Sequence, residues 1–127
     1  MISTIGIVAL GGALGAVARY GVNIGAVHVL GHGFPWGTLV VNVIGSFMMG
    51  VLIVKFSQMN QVSQELRTLC TTGFLGAFTT FSTFSLDVVT LWERGDMLHA
   101  AAYLAASVII SIVALFFALW LMREVLS

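Results

Sequence analysis

Four long apolar runs take up most of this chain, at residues 2–22, 38–54, 66–92 and 98–122. Only 8% of the 127 residues are charged, against about 25% in soluble domains. A membrane-spanning helix needs about 20 mostly apolar residues, so each run is long enough to cross a bilayer. The pattern predicts an all-α integral membrane protein, a single four-span unit over residues 1–127, with short connections.

The basic residues at the ends of these runs give only a weak orientation signal. Lys55, Arg67 and Arg123 fall on the side that would hold both termini, while Arg94 falls on the other side, with Arg19 close to it. The positive-inside rule favours cytoplasmic termini, but a difference of one or two charges is a small bias. The charge pattern therefore leaves both orientations open.

The connection after the first run is predicted as a short loop at residues 25–33, where His28 and His32 lie among glycines. The residues "FPWG" (34–37) follow, with a proline suited to a helix start and a tryptophan suited to the membrane interface. The histidines lack a convincing metal-ligand spacing on a predicted helix, Cys70 has no partner in the chain, and there is no basic cluster. We therefore expect neither an enzyme nor a nucleic-acid-binding protein.

The third run contains the unusual stretch "TTGFLGAFTTFSTFS" (71–85), in which hydroxyl side chains alternate with phenylalanine. Gly73, Gly76, Thr79 and Thr80 are poor or middling helix formers at mid-membrane depth, and they predict a break in this helix. A broken helix exposes N–H and carbonyl groups that can bind ions at the bilayer midplane. The alternative is that the hydroxyls bond back to their own helix and the glycines allow close packing.

Polar residues also recur at helical spacing in two other runs, where steps of four place them on one face. Aromatic edges and hydroxyl groups offer positive charge density to a small anion, so these stripes predict a narrow polar track. Interhelical hydrogen bonding is the alternative, and Arg19 would either attract an anion to one mouth or extend to the interface. The stripes are Thr38, Asn42 and Ser46 in the second run and Tyr103, Ser107 and Ser111 in the fourth, with Phe81 and Phe84 beside the break.

The blocks "PWGTLVVNVIGS" (35–46) and "GFLGAFTTFSTFS" (73–85), together with Tyr103 and its serines, strongly resemble the Fluc, or CrcB-like, fluoride channels. The resemblance covers essentially the whole chain, and its "TTFSTF" box is highly specific; Asp87 departs from it, since Glu is common there. It implies an antiparallel, dual-topology homodimer of four-span subunits with two pores in the bacterial inner (plasma) membrane. Such a channel would passively export fluoride from the cytoplasm and relieve fluoride toxicity.

The same resemblance implies roles for individual residues. Phe81 and Phe84 would contact fluoride through their ring edges and Asn42 through an amide N–H, and Arg19 would be the family's first-span arginine. A structural sodium ion would lie on the two-fold axis, bound by main-chain carbonyls of Gly76 and Thr79 from both subunits. The rest of the fluoride pathway would comprise Thr38, Tyr103, Ser107 and Ser111, with Ser82 and Thr83 near a vestibule.

Two other functions remain as alternatives. Small dual-topology multidrug exporters have a similar size, but they use a membrane-embedded Glu in the first span, where this chain has Arg19 and no acid. A non-transporting assembly subunit would use the break and the polar stripes only for packing. An ion-flux assay distinguishes these alternatives from a fluoride channel.

Overall fold

The computed structural model describes residues 1–126, whose regular secondary structure is entirely helical. The third span, Gln64–Glu93, is a composite that bends at residues 79–81. With it, the described residues contain four helices long and apolar enough to cross a membrane, as the apolar runs predict. The elements are α1 (Ile2–Leu30), α2 (Trp36–Gln58), α3 (Gln64–Thr68), a π-helical segment (Leu69–Leu75), α4 (Gly76–Phe78), α5 (Ser82–Glu93) and α6 (Met97–Leu126).

The first helix is longer than the sequence predicts. Residues 25–30, including His28, continue α1, so the loop predicted at residues 25–33 is wrong in its first part. The helix ends at Gly31, whose φ of 81° lies in the left-handed region that favours glycine. His32 lies in the short connection that follows, so the sequence prediction holds for only one of these two histidines.

The break in the third span is confirmed, but it involves fewer residues than predicted. Thr79 is extended, with φ −84° and ψ 159°, and α5 begins only at Ser82. Gly73 lies in the π-helical segment, and Gly76 is helical, with φ −61° and ψ −35°. The prediction that these two glycines form part of the break is therefore wrong.

Glycine instead brings the third span close to α1. A Cβ on Gly11 would lie 3.0 Å from the Cα of Gly73 and 2.6 Å from the carbonyl oxygen of Leu69. Contacts this short are possible only between residues without side chains, which is a common way to pack helices in lipid. The π-helical segment is thereby held against α1, just before the break.

Two small clusters of buried side chains lie inside the bundle, and most large apolar side chains face outward. Such an outer surface is expected where the solvent is lipid rather than water. The first cluster joins α2 to the third span before the break, and the second joins α5 to α6 beyond it. Their buried members are Val41, Leu75 and Phe78 in the first cluster, and Phe84, Leu91, Ala100 and Tyr103 in the second.

Candidate functional site

The break is held open by hydrogen bonds from the side chain of Asn42 on α2. Its Nδ2 donates to the Thr80 carbonyl at 3.0 Å, and its Oδ1 accepts from the Thr80 N–H at 2.8 Å. The hydroxyl oxygen of Thr80 in turn accepts from the N–H of Thr83 at 3.2 Å. Asn42 thus satisfies both backbone groups of Thr80, while Thr80 caps the start of α5 as an N-cap residue does.

The carbonyl groups of Gly76 and Thr79 lack the donors that a continuous helix would supply. In such a helix the N–H of Thr80 would donate to Gly76 and that of Thr83 to Thr79. Both N–H groups have side-chain acceptors here. Among residues 1–126 no other donor is bonded to either carbonyl, so both oxygens are available to a ligand.

Some hydroxyls of this segment do bond back to their own helix, as the packing alternative expects. Thr71 donates to the Arg67 carbonyl at 2.7 Å, Thr79 to the Leu75 carbonyl at 2.9 Å, and Ser85 to the Phe81 carbonyl at 3.0 Å. Thr80 differs, because its hydroxyl oxygen is an acceptor at the break. The packing interpretation therefore explains part of the hydroxyl content of the stretch and leaves the break itself unexplained.

A cavity of about 430 Å³ lies between α2, the break and α6. It brings together the predicted stripes of the second and fourth spans and the two rings of the box. No lining residue among those described has a formal charge. The polar and aromatic groups on its wall are Asn42, Ser46, Thr79, Thr80, Phe81, Phe84, Ser107 and Ser111.

Two hydroxyl groups on this wall have no hydrogen-bond partner within the described residues. They belong to Ser107 and Ser111, one turn apart on α6, and both oxygen atoms are buried. A buried hydroxyl without a partner costs about 1–3 kcal/mol. Two such groups facing one cavity are explained if the cavity holds something that they bind.

The two phenylalanines of the box adjoin each other, as their spacing predicts. Their ring centroids are 5.7 Å apart, and the ring planes are tilted by 53°. Phe84 is buried, with 7% of its surface exposed, whereas Phe81 is 78% exposed within the single chain. Phe81 therefore forms part of an open side of the cavity.

Tyr103 connects this cavity to a second one. Its ring lies 5.3 Å from that of Phe84, and its hydroxyl donates to Oδ2 of Asp87 at 3.0 Å, near the hydroxyls of Thr38 and Ser107. The second cavity, of about 200 Å³, contacts Asp87 from the other side. A line of polar groups thus continues from the large cavity towards the loop between α1 and α2.

Other predicted site residues lie outside the large cavity. Thr38 is buried beside Tyr103, Ser82 is exposed, and Thr83 is half-buried with its N–H bonded at the break. Arg19 lines neither cavity, although its Nε is buried without a partner in residues 1–126. The structure therefore gathers the centre of the predicted track but not these four side chains.

Sequence reasoning missed two features of the site. It left the role of Asp87 open, and the structure pairs Asp87 with Tyr103. It also missed the second cavity, which His32 and Arg94 line from opposite loops. A spacing of seven residues along α5 separates Asp87 from Arg94, which puts them on one helix face and was the available signal.

The chemistry of the large cavity favours an anion over a cation. Its wall offers hydroxyl and amide donors and aromatic rings, whose edges are the positive end of the ring quadrupole. Membrane-embedded carboxylates, which are typical of cation and proton pathways, are absent from the described lining. Asn42 keeps one amide N–H unused after its bond to Thr80, because an amide nitrogen carries two hydrogens.

Known proteins resemble the chain over nearly its full length. A profile of the family described as CrcB-like protein, Camphor Resistance (CrcB), matches residues 6–119. A protein of Chelativorans sp. (strain BNC1) named "Fluoride-specific ion channel FluC" is 54% identical, covering 94% of this chain and 96% of that protein. Proteins of the same name from Rhizobium etli and Rhodospirillum centenum are 50% and 52% identical, covering 92% and 94% of this chain and 94% and 95% of theirs. With this match, the chain belongs to the CrcB-like family.

Proposed function

We propose that this chain is a fluoride-selective ion channel that passively exports fluoride from the cytoplasm and so relieves fluoride toxicity. The observation that carries the proposal is the uncharged cavity, in which two buried serine hydroxyls without partners face the paired rings of the box. The name shared by relatives at about half identity supports the same ion. The chain is a multi-pass membrane protein, and we place it in the bacterial inner (plasma) membrane.

Fluoride is small and strongly hydrated, so a pathway must replace its water. Moving such an ion unassisted into a medium of low dielectric constant costs on the order of 20 kcal/mol. The free N–H of Asn42, the hydroxyls of Ser107 and Ser111 and the edges of Phe81 and Phe84 share this load. No group among them is a full cation, so the ion binds weakly enough to leave again.

Groups on either side of the large cavity extend the pathway. Tyr103 and Thr38 continue it towards the second cavity, and Ser82 and Thr83 lie near a vestibule at the other side of the box. Arg19 attracts the anion to one mouth, and its buried, unpartnered Nε supports a ligand-directed role over an interfacial one. All of these roles follow from the proposed fluoride pathway.

The open side of the cavity supports an antiparallel, dual-topology homodimer. Phe81, Val108 and Ile112 line that cavity and are 78%, 47% and 51% exposed in one chain. A ring that binds an anion by its edge must be shielded from lipid, and a second copy would provide that cover. The balanced basic residues on the two sides of the membrane are compatible with insertion in both orientations.

A structural sodium ion on the two-fold axis fits the free carbonyls at the break. Hard cations prefer oxygen ligands, and the carbonyl oxygens of Gly76 and Thr79 have no donor in the described chain. Two subunits would supply four such oxygens. Sodium would supply positive charge at the dimer centre and hold the two broken helices together.

Passive transport is tested with purified protein in liposomes loaded with potassium fluoride. A potassium ionophore discharges the membrane voltage, and a fluoride electrode records release. We expect rapid release without ATP or a proton gradient, and only slow leakage from protein-free liposomes. A need for ATP or for a proton gradient would contradict the proposal and favour an exporter.

A further inference from the structure

The hydrogen bonds at the break distinguish it from a helix that simply ends. Two N–H groups that a continuous helix would direct at Gly76 and Thr79 have other acceptors, Oδ1 of Asn42 at 2.8 Å and Oγ1 of Thr80 at 3.2 Å. The same carbonyls are those assigned to sodium above. The two side chains thus occupy the donors that would compete with the ion.

We infer that Asn42 and Thr80 are positioning residues for the cation site, because they keep the Gly76 and Thr79 carbonyls unbonded. The inference rests on the proposed sodium site and adds the reason why its ligands are free. Without the Thr80 hydroxyl, the N–H of Thr83 has no acceptor at the break and is free to donate to Thr79. A carbonyl that accepts this bond is a poorer ligand for a cation.

The inference also links the two ion sites through one side chain. Asn42 bonds both backbone groups of Thr80 and lines the large cavity, where its second amide N–H is free. The amide plane is fixed by the pair of bonds to Thr80, so the direction of the free N–H depends on the geometry of the break. A change in the cation site therefore alters the donor that faces the anion.

The test measures sodium affinity through thermal stability, separately from transport. Detergent-purified protein is heated at sodium concentrations from micromolar to molar levels, with N-methylglucamine keeping the ionic strength constant. The readout is the sodium concentration that gives half of the full rise in Tm. Thr80→Val removes the hydroxyl with little change in shape, Thr80→Ser keeps it, and Thr4→Val alters an exposed threonine on the first turn of α1.

We expect Thr80→Val to raise the sodium midpoint at least tenfold, and Thr80→Ser and Thr4→Val to stay within about twofold of the unchanged protein. A merely structural role would lower Tm equally at every sodium concentration and leave the midpoint unchanged. That result in Thr80→Val would overturn the inference for Thr80. Asn42→Ala provides an independent test, since it frees the N–H of Thr80, and an unchanged midpoint there would overturn the inference for Asn42.

The unchanged protein separates this inference from the proposals on which it rests. If sodium does not raise its Tm at all, the sodium site itself is wrong, and the positioning role falls with it. Fluoride release from liposomes is measured independently and decides the channel function. A sodium-dependent Tm in the unchanged protein with no shift in Thr80→Val refutes the positioning role alone.

Discussion

Replacing the two box phenylalanines one at a time separates anion binding from packing, because their burial differs so strongly. Phe84 is 7% exposed and its ring lies close to the rings of both Phe81 and Tyr103, whereas Phe81 is 78% exposed and adjoins Phe84 alone. An aromatic pair contributes about 0.5–1.5 kcal/mol. Phe84→Ile therefore costs about 1–3 kcal/mol of stability in the single chain, and Phe81→Ile about 0.5–1.5 kcal/mol.

The expected fluoride flux does not follow this order. An aliphatic side chain has no positive edge, so both substitutions remove a group that stabilises the ion in the pathway. We expect each variant to release fluoride at least tenfold more slowly, which corresponds to about 1.4 kcal/mol in the barrier. The assay is release from liposomes that contain variants shown by size-exclusion chromatography to be folded, with stability measured by thermal unfolding.

A third substitution controls for the loss of an exposed ring. Phe116 on α6 is 68% exposed and does not line the large cavity, so Phe116→Ile should leave fluoride release within about twofold. Near-native release from folded Phe81→Ile would refute the ring-edge mechanism. Release that declines only in proportion to lost stability, in Phe84→Ile alone, would assign the rings to packing.

Three further predictions address packing, the polar wall and topology. A Cβ on Gly15 would meet the backbone of Phe74, whereas one on Gly12 would lie 4.0 Å from the nearest atom; Gly15→Ala should therefore lower stability by about 1–3 kcal/mol and Gly12→Ala by much less, as thermal unfolding would reveal. Ser111→Ala removes a hydroxyl without a partner and should slow fluoride release without loss of stability; a destabilised variant with normal release would contradict its role. Lys55→Cys in a Cys70→Ser background should react with impermeant thiol reagents from both sides of sealed vesicles, and labelling from one side only would exclude dual topology.

The spans and the position of the break are predictable from sequence because they depend on local properties. Apolar runs of the right length define the spans, and the box marks where helical hydrogen bonding stops. The end of α1 was misplaced because Gly25 was taken as a helix breaker. Within a membrane a helix satisfies its own backbone groups, so it continues through Gly25 until Gly31 adopts a positive φ.

The contacts that give the site its chemistry were less predictable, because they join distant parts of the chain. The bond between Asn42 and Thr80 joins residues 38 positions apart, and that between Tyr103 and Asp87 joins residues 16 positions apart. Helical spacing places Asn42 on a polar face, but which backbone group it meets depends on how α2 is rotated against the third span. The roles of Gly73 and Gly76 were misjudged for the same reason, since close approach to α1 is a property of packing.

The most direct test of the channel assignment is the release of fluoride and chloride from one preparation of liposomes. The vesicles contain the purified protein and equal concentrations of the two potassium salts, a potassium ionophore starts the release, and ion-selective electrodes follow each anion. The cavity, with its weak donors around a narrow polar track, predicts rapid loss of fluoride while chloride leaks no faster than from protein-free vesicles. Equal release of both anions, or retention of fluoride, would contradict the assignment.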